Sequence, residues 1–198
     1  MSDLKYQFYD MVNIISEQLR GIYLSDILLV VLVSLLLLFL VKALMLKRGE
    51  NMSVGQGLMY FLTFAYAGVI LLITILRRDP GSRSVGINVH IYFGSLKGGW
   101  LSTKQAVYSI LNVLLFVPWG FLLRMYRREG RNARAVCMTV LAGFLTTFCV
   151  EIIQYVTGRG RFEVTDLVTN VTGTLAGALI GTLVVYITQI NKQEKQDE

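Results

Sequence analysis

Charge is scarce in this 198-residue chain: Asp, Glu, Lys and Arg make up 16% of it, against 54% hydrophobic residues. A soluble domain carries roughly a quarter charged residues, so water is not the only solvent for this protein. Histidine occurs once, at His90, and cysteine twice, at Cys137 and Cys149. That supply denies a cluster of soft metal ligands. Both thiols fall in one apolar run, where they behave as small hydrophobes and imply neither a disulfide nor a zinc site. Proline is as rare, and Pro118 interrupts a hydrophobic run, where it kinks or locally opens a helix and frees backbone groups. No internal repeat or low-complexity tract is present.

What the chain has instead is long hydrophobic runs. Residues 51–76, 105–123 and 167–191 contain no charged residue, and each is long enough to cross the hydrocarbon, which takes roughly 20 helical residues. Two further runs carry isolated charges, Asp26 and Lys42 near the ends of one and Glu151 inside the other. The expectation is one all-α integral membrane domain over residues 1–198, with five transmembrane helices near 25–46, 57–76, 105–123, 135–157 and 167–190. The first 20 residues hold Asp3, Asp10 and Glu17 and lack a basic region followed by a cleavage site, so the first span is expected to be retained.

Residues 4–24 place Phe8, Met11, Val12, Ile15, Leu19 and Ile22 at helical spacing with polar residues between, which predicts an interfacial amphipathic helix. Lys and Arg divide nine to ten between the two faces of a five-span protein. The compact third loop, however, packs Arg124, Arg127, Arg128, Arg131 and Arg134 into eleven residues, and the first adds Lys42, Lys47 and Arg48. Short basic loops stay inside. The N-terminus is then outside and the C-terminus in the cytoplasm, with Arg77, Arg78 and Arg83 speaking against. Basic residues in such loops are membrane anchors, and no nucleic-acid partner is expected. The long second loop alternates Val85, Ile87, Val89 and Ile91 with Gly86, Asn88, His90 and Tyr92, which reads as a strand held above the bilayer or inside protein.

Ionisable groups inside spans are costly and mark a bundle interior or wet cavity, which singles out Glu151, with Gln154 three residues on. In the last span Asp166, Asn170, Gly173, Gly177 and Gly181 are spaced four, three, four and four, a stripe about 80° wide, polar above and bare below. The glycines read as a close-packing surface. Counted from the expected span ends, Asn112, Glu151 and Asn170 lie roughly 6 to 10 Å below one face, which predicts a shared cavity with Arg78, Arg159 and Arg161 at its mouth. The plainer alternative is a buried network that only fixes helix register. His90 alone is a structural residue rather than a catalytic one.

Asn112-Val-Leu-Leu-Phe-Val-Pro-Trp-Gly-Phe-Leu-Leu123, then Glu151-Ile-Ile-Gln154, Thr165-Asp166 and Asn170-x-x-Gly173 together resemble the VanZ-like family, over roughly residues 83–185. Arg83 and Asn88 match the family's segment before the third span, while His90-Ile-Tyr-Phe93 lacks its usual proline. The resemblance implies a bacterial cytoplasmic-membrane protein of the kind linked to low-level resistance to teicoplanin and related lipid-tailed glycopeptides. The candidate ligand-binding set is Asn112, Glu151, Gln154, Arg161, Asp166, Asn170, Arg78, Asn88 and Arg83.

Three functions follow as expectations. One is a protein whose outer-leaflet cavity binds a membrane lipid or lipid-linked cell-wall precursor and so alters how glycopeptides reach their target. Another is an enzyme on a lipid-linked phosphate, with Glu151 or Asp166 as acid or base. The last is a transporter or helper subunit, for which the sequence gives few pointers. No nucleophile paired with a base is evident, and no cofactor is indicated, although oxygen ligands for Mg²⁺ or Ca²⁺ exist in Glu151, Asp166 and Asn170.

Overall fold

A computed structural model describes residues 2–83, 86–126 and 132–197. It contains six helices: α1 (Ser2–Leu19), α2 (Leu24–Lys47), α3 (Val54–Leu71, continued by a π-helical turn Leu72–Leu76), α4 (Trp100–Met125), α5 (Asn132–Val156) and α6 (Val164–Asp197). Helices α2 to α6 are each long and apolar enough to cross a membrane, so the protein is a multi-pass membrane protein. Their outward surfaces carry Leu28, Leu32, Phe39, Leu141 and Leu183, all exposed. In a bilayer that is the favourable arrangement, because lipid tails solvate leucine as well as a protein core does.

The centre of the bundle is α4 against α6, which run parallel and are linked through the antiparallel α5. The stripe predicted from spacing makes this contact. A Cβ on Gly173 would meet the carbonyl oxygen of Val113 on α4, and one on Gly177 that of Val117. Gly120 answers from α4 against the backbone of Thr174, while Gly143 on α5 makes room for the Thr174 side chain. Backbones therefore touch, and the exchange of side-chain volume for proximity is what small residues provide in membranes. Pro118 sits inside α4. The carbonyl of Leu115, three residues before it, accepts a hydrogen bond of 2.8 Å from the Tyr66 hydroxyl of α3, so an external donor serves the turn that the proline disturbs.

Two expectations change. The third span was placed from 105, but α4 begins at Trp100, because Lys104 and Thr103 join the helix despite their polarity; Lys104 lies over the Trp100 and Tyr108 rings at 5.9 and 5.6 Å. The alternating segment of the second loop forms only the two-residue strand β1 (Ile87–Asn88), parallel to β2 (Phe162–Glu163) in the α5–α6 hairpin. It is short because its partner is a tight hairpin offering only two residues in register. Val85, like Arg127, Arg128 and Arg131 of the third loop, lies outside the described residues.

Candidate functional site

The site lies at the end of the bundle that carries α1, the α3–α4 loop and the α5–α6 hairpin. The hairpin turns at Gly158, whose φ of +62° suits glycine. Backbone bonds dock the loop along it: Gly81 N–H to the Thr157 carbonyl and Arg83 N–H to that of Gly158, both 3.1 Å, and Phe162 N–H to that of Gly86, 2.9 Å. Thr165, at the start of α6, holds the loop's far end, accepting from Tyr92 N–H (3.1 Å) and donating to the His90 carbonyl (3.2 Å). The loop is largely exposed, and it is held in place by backbone bonds to the hairpin and to the first turn of α6.

Beneath the loop, α3 widens. Arg77 N–H bonds the carbonyl of Leu72, five residues back, at 3.1 Å, and Gln154 Nε2 donates to the Thr74 carbonyl at 2.9 Å. Such π-turns leave carbonyls in need of donors and recur at functional sites. This one ends in two arginines with different partners. Arg77 reaches α1, donating to the Gln18 side chain and to the Glu17 carbonyl. Arg78 turns into a cavity and gives one Nη1 hydrogen to the Arg159 carbonyl at 3.3 Å, while its buried Nε has no acceptor. Burial first, and then Arg83 and Arg77, push the Arg78 guanidinium down to about 10, with Asp166 pulling the other way. At neutral pH it remains a cation.

The cavity has a volume of about 310 Å³. Ile15, Gln18 and Leu19 of α1 form one wall, Ile73 and Arg78 another, Tyr108, Leu111, Asn112, Leu114 and Leu115 of α4 a third, and Asp166 of α6 the floor. Asn112 lies within hydrogen-bonding reach of Asp166. Of the residues expected from sequence to share a cavity, Arg78, Asn112 and Asp166 line this one. Glu151 does not: it is 1% exposed and accepts the Glu163 N–H at 2.9 Å, supporting the hairpin from below. Asn170 turns to α5, donating to Thr147 at 2.7 Å and leaving its buried Oδ1 without a partner. Gln154 serves the π-turn.

The remaining candidates sit in the loop layer. Arg161 is exposed and its stem passes over Gly86, Nε being 3.7 Å from where a Cβ would stand. Arg83 is exposed, and Asn88 caps its own loop by accepting from His90 N–H at 3.2 Å. Among the described residues no three His, Cys, Asp or Glu side chains lie together as metal ligands. The sequence pointed to Ile15 and Leu19 only as members of an apolar stripe. Gln18 and Tyr108 carried no signal, because their place on the cavity wall depends on how α1 docks.

The order of motifs along the chain now stands on a fold that uses them together, with the Asn112 helix, the Glu151 helix and the Asp166 helix meeting at one end. The VanZ/LLP1 family model matches residues 27–185. The chain belongs to the VanZ/LLP1 family. No curated protein and no solved structure matches it. Within this family the chain is a VanZ-like membrane protein, and the match covers every spanning helix except the first turn of α2 and the end of α6.

Proposed function

We propose that this VanZ-like protein modulates susceptibility to teicoplanin-type glycopeptides by holding the head group of a membrane lipid or lipid-linked cell-wall precursor in an outer-leaflet cavity. The observation that carries this reading is the cavity itself, in which Arg78, Asn112 and Asp166 face apolar walls at one end of the spanning helices. Polar groups in such a place are expensive unless something wet or polar meets them. A purely structural network would pair Arg78 with Asp166, yet the two form no ion pair and the buried Arg78 Nε has no acceptor.

The binding reading is favoured over an enzyme because one carboxylate, Asp166, faces the cavity while Glu151 is committed to a backbone amide outside it. An acid and base working on one substrate must both reach it. The experiment compares cells that carry or lack the chain for their minimum inhibitory concentrations of teicoplanin and of a glycopeptide without a lipid tail. A change confined to teicoplanin is expected, and equal values with and without the chain would remove the resistance reading. The leaflet is tested separately with impermeant thiol reagents in intact cells, on a Cys-free background: Ser82→Cys, at an exposed position of the loop over the cavity, is expected to label and Glu129→Cys to stay silent, and the reverse pattern would move the cavity to the inner leaflet.

A further inference from the structure

The geometry points to a zwitterionic occupant: a lipid whose phosphate rests on Arg78 and whose ammonium rests on Asp166, as in a phosphoethanolamine head group. This rests on the lipid reading above and narrows it. Arg78 and Asp166 line the same cavity, yet they form no ion pair with each other. Arg78 spends one hydrogen on the Arg159 carbonyl, and Asp166 has the Asn112 amide within reach. Opposite charges held apart in an apolar enclosure are each incompletely solvated, and what satisfies both at once is a ligand carrying the complementary two charges.

The surroundings extend this polarity. Arg83 and Arg77 stand within electrostatic reach of Arg78, and Glu163 and Glu151 within reach of Asp166, so each of the two lining charges has further charges of its own sign nearby. Arg77 is itself committed to α1. A phosphate without an ammonium would satisfy the first side and set its own charge against the second. Neutral hydroxyls on Asp166 would help it less, since they bring no opposite charge to the carboxylate.

The walls favour a lipid over a free solute. Leu19 and Leu114 line the cavity and are 58% and 59% exposed, so in the membrane the same side chains touch hydrocarbon. An acyl chain leaving the head group would continue along them. The volume of about 310 Å³ is at the small end for ligand cavities and accommodates a compact head group with its tails outside.

The test titrates the purified full chain in detergent with dioleoyl phosphatidylethanolamine, dioleoyl phosphatidylglycerol, N-acetylated phosphatidylethanolamine and tail-free phosphoethanolamine, read by native mass spectrometry. Phosphatidylethanolamine is expected to bind about tenfold more tightly than phosphatidylglycerol. N-acetylation, which removes the ammonium but keeps phosphate and tails, should erase that advantage without any change to the protein. Asp166→Asn should erase it from the other side, weakening phosphatidylethanolamine and leaving phosphatidylglycerol as it was. Equal binding of the N-acetylated and parent lipids would overturn the zwitterion assignment while leaving a lipid site in place. Competition by tail-free phosphoethanolamine at the lipid's own concentration would overturn the lipid as its source, and no binding by any of the four would take the lipid reading down as well.

Discussion

The two halves of the α4–α6 pair are built on one stripe and do opposite things. In the lower half Gly173, Gly177 and Gly181 remove volume, so the helices meet backbone to backbone; even Arg124, fully buried there, lays its Cβ and Cγ 3.0 Å from where Gly181 would carry a side chain. In the upper half the same stripe carries Asp166 and Asn170, and α6 faces side chains instead: Asn112 and the cavity with one, Thr147 with the other. Helix register and the polar cavity are therefore separable here. The glycines set the distance and orientation of α4 and α6, and the polar turn above them uses that fixed geometry to hold groups apart.

Adding volume to the lower half should break the comparison most severely. Gly177→Leu drives a side chain into the Val117 carbonyl and the Phe121 amide, rigid backbone that cannot step aside. A cost of about 3 kcal/mol is expected, seen as loss of the monodisperse peak when detergent extracts are run on a size-exclusion column. A normal peak would mean that the helices are not held where they are described.

Changing charge in the upper half should instead spare the fold. Asp166→Asn keeps size and hydrogen-bonding capacity, yet it is expected to abolish the effect on glycopeptide susceptibility at normal membrane level. Glu151→Gln should retain part of that effect, because an amide oxygen still accepts the Glu163 N–H and the side chain is not on the cavity wall. Activity ranked the other way, with Asp166→Asn active and Glu151→Gln dead, would shift the site beneath the hairpin. The smallest effect is expected from Glu17→Gln. It removes the Lys104–Glu17 ion pair, 3.4 Å and solvent-exposed, which contributes about 0.2 to 1 kcal/mol, while Arg77 still holds Gln18. The thermal midpoint should barely move; a large drop would make this ion pair, rather than Arg77, the clamp on α1.

The same contrast separates what was legible in the sequence from what was not. The five helices were readable because each apolar run is about as long as the hydrocarbon core is thick, and the stripe because its residues repeat with the helical period. Counting along helices, a local operation, placed Asn112, Glu151 and Asn170 at one depth, and of these Asn112 lines the cavity; Asp166 was singled out by the stripe and the motif instead. The counting misjudged Asn170 and Glu151, which stand at the right end of the bundle but turn to α5's Thr147 and to the hairpin amide. A few tens of degrees about a helix axis decide such partners, and spacing along the chain does not resolve them. The docking of α1 was invisible for a different reason: Arg77 meets Gln18 across 59 residues, and Lys104 meets Glu17 across 87. No periodicity links such pairs. The alternating loop predicted a longer strand because alternation reports what a segment tolerates, whereas its length is set by the partner it finds.

Whether the cavity is a lipid site is read most directly from lipid phosphorus per mole of protein after extensive detergent washing, compared between the unaltered chain and Arg78→Gln. Glutamine removes the cation and, ending two atoms short, also gives up the long bond to the Arg159 carbonyl. About one retained phosphate per unaltered chain is expected, lost in Arg78→Gln with helix content unchanged. Equal phosphorus in the two proteins would contradict it.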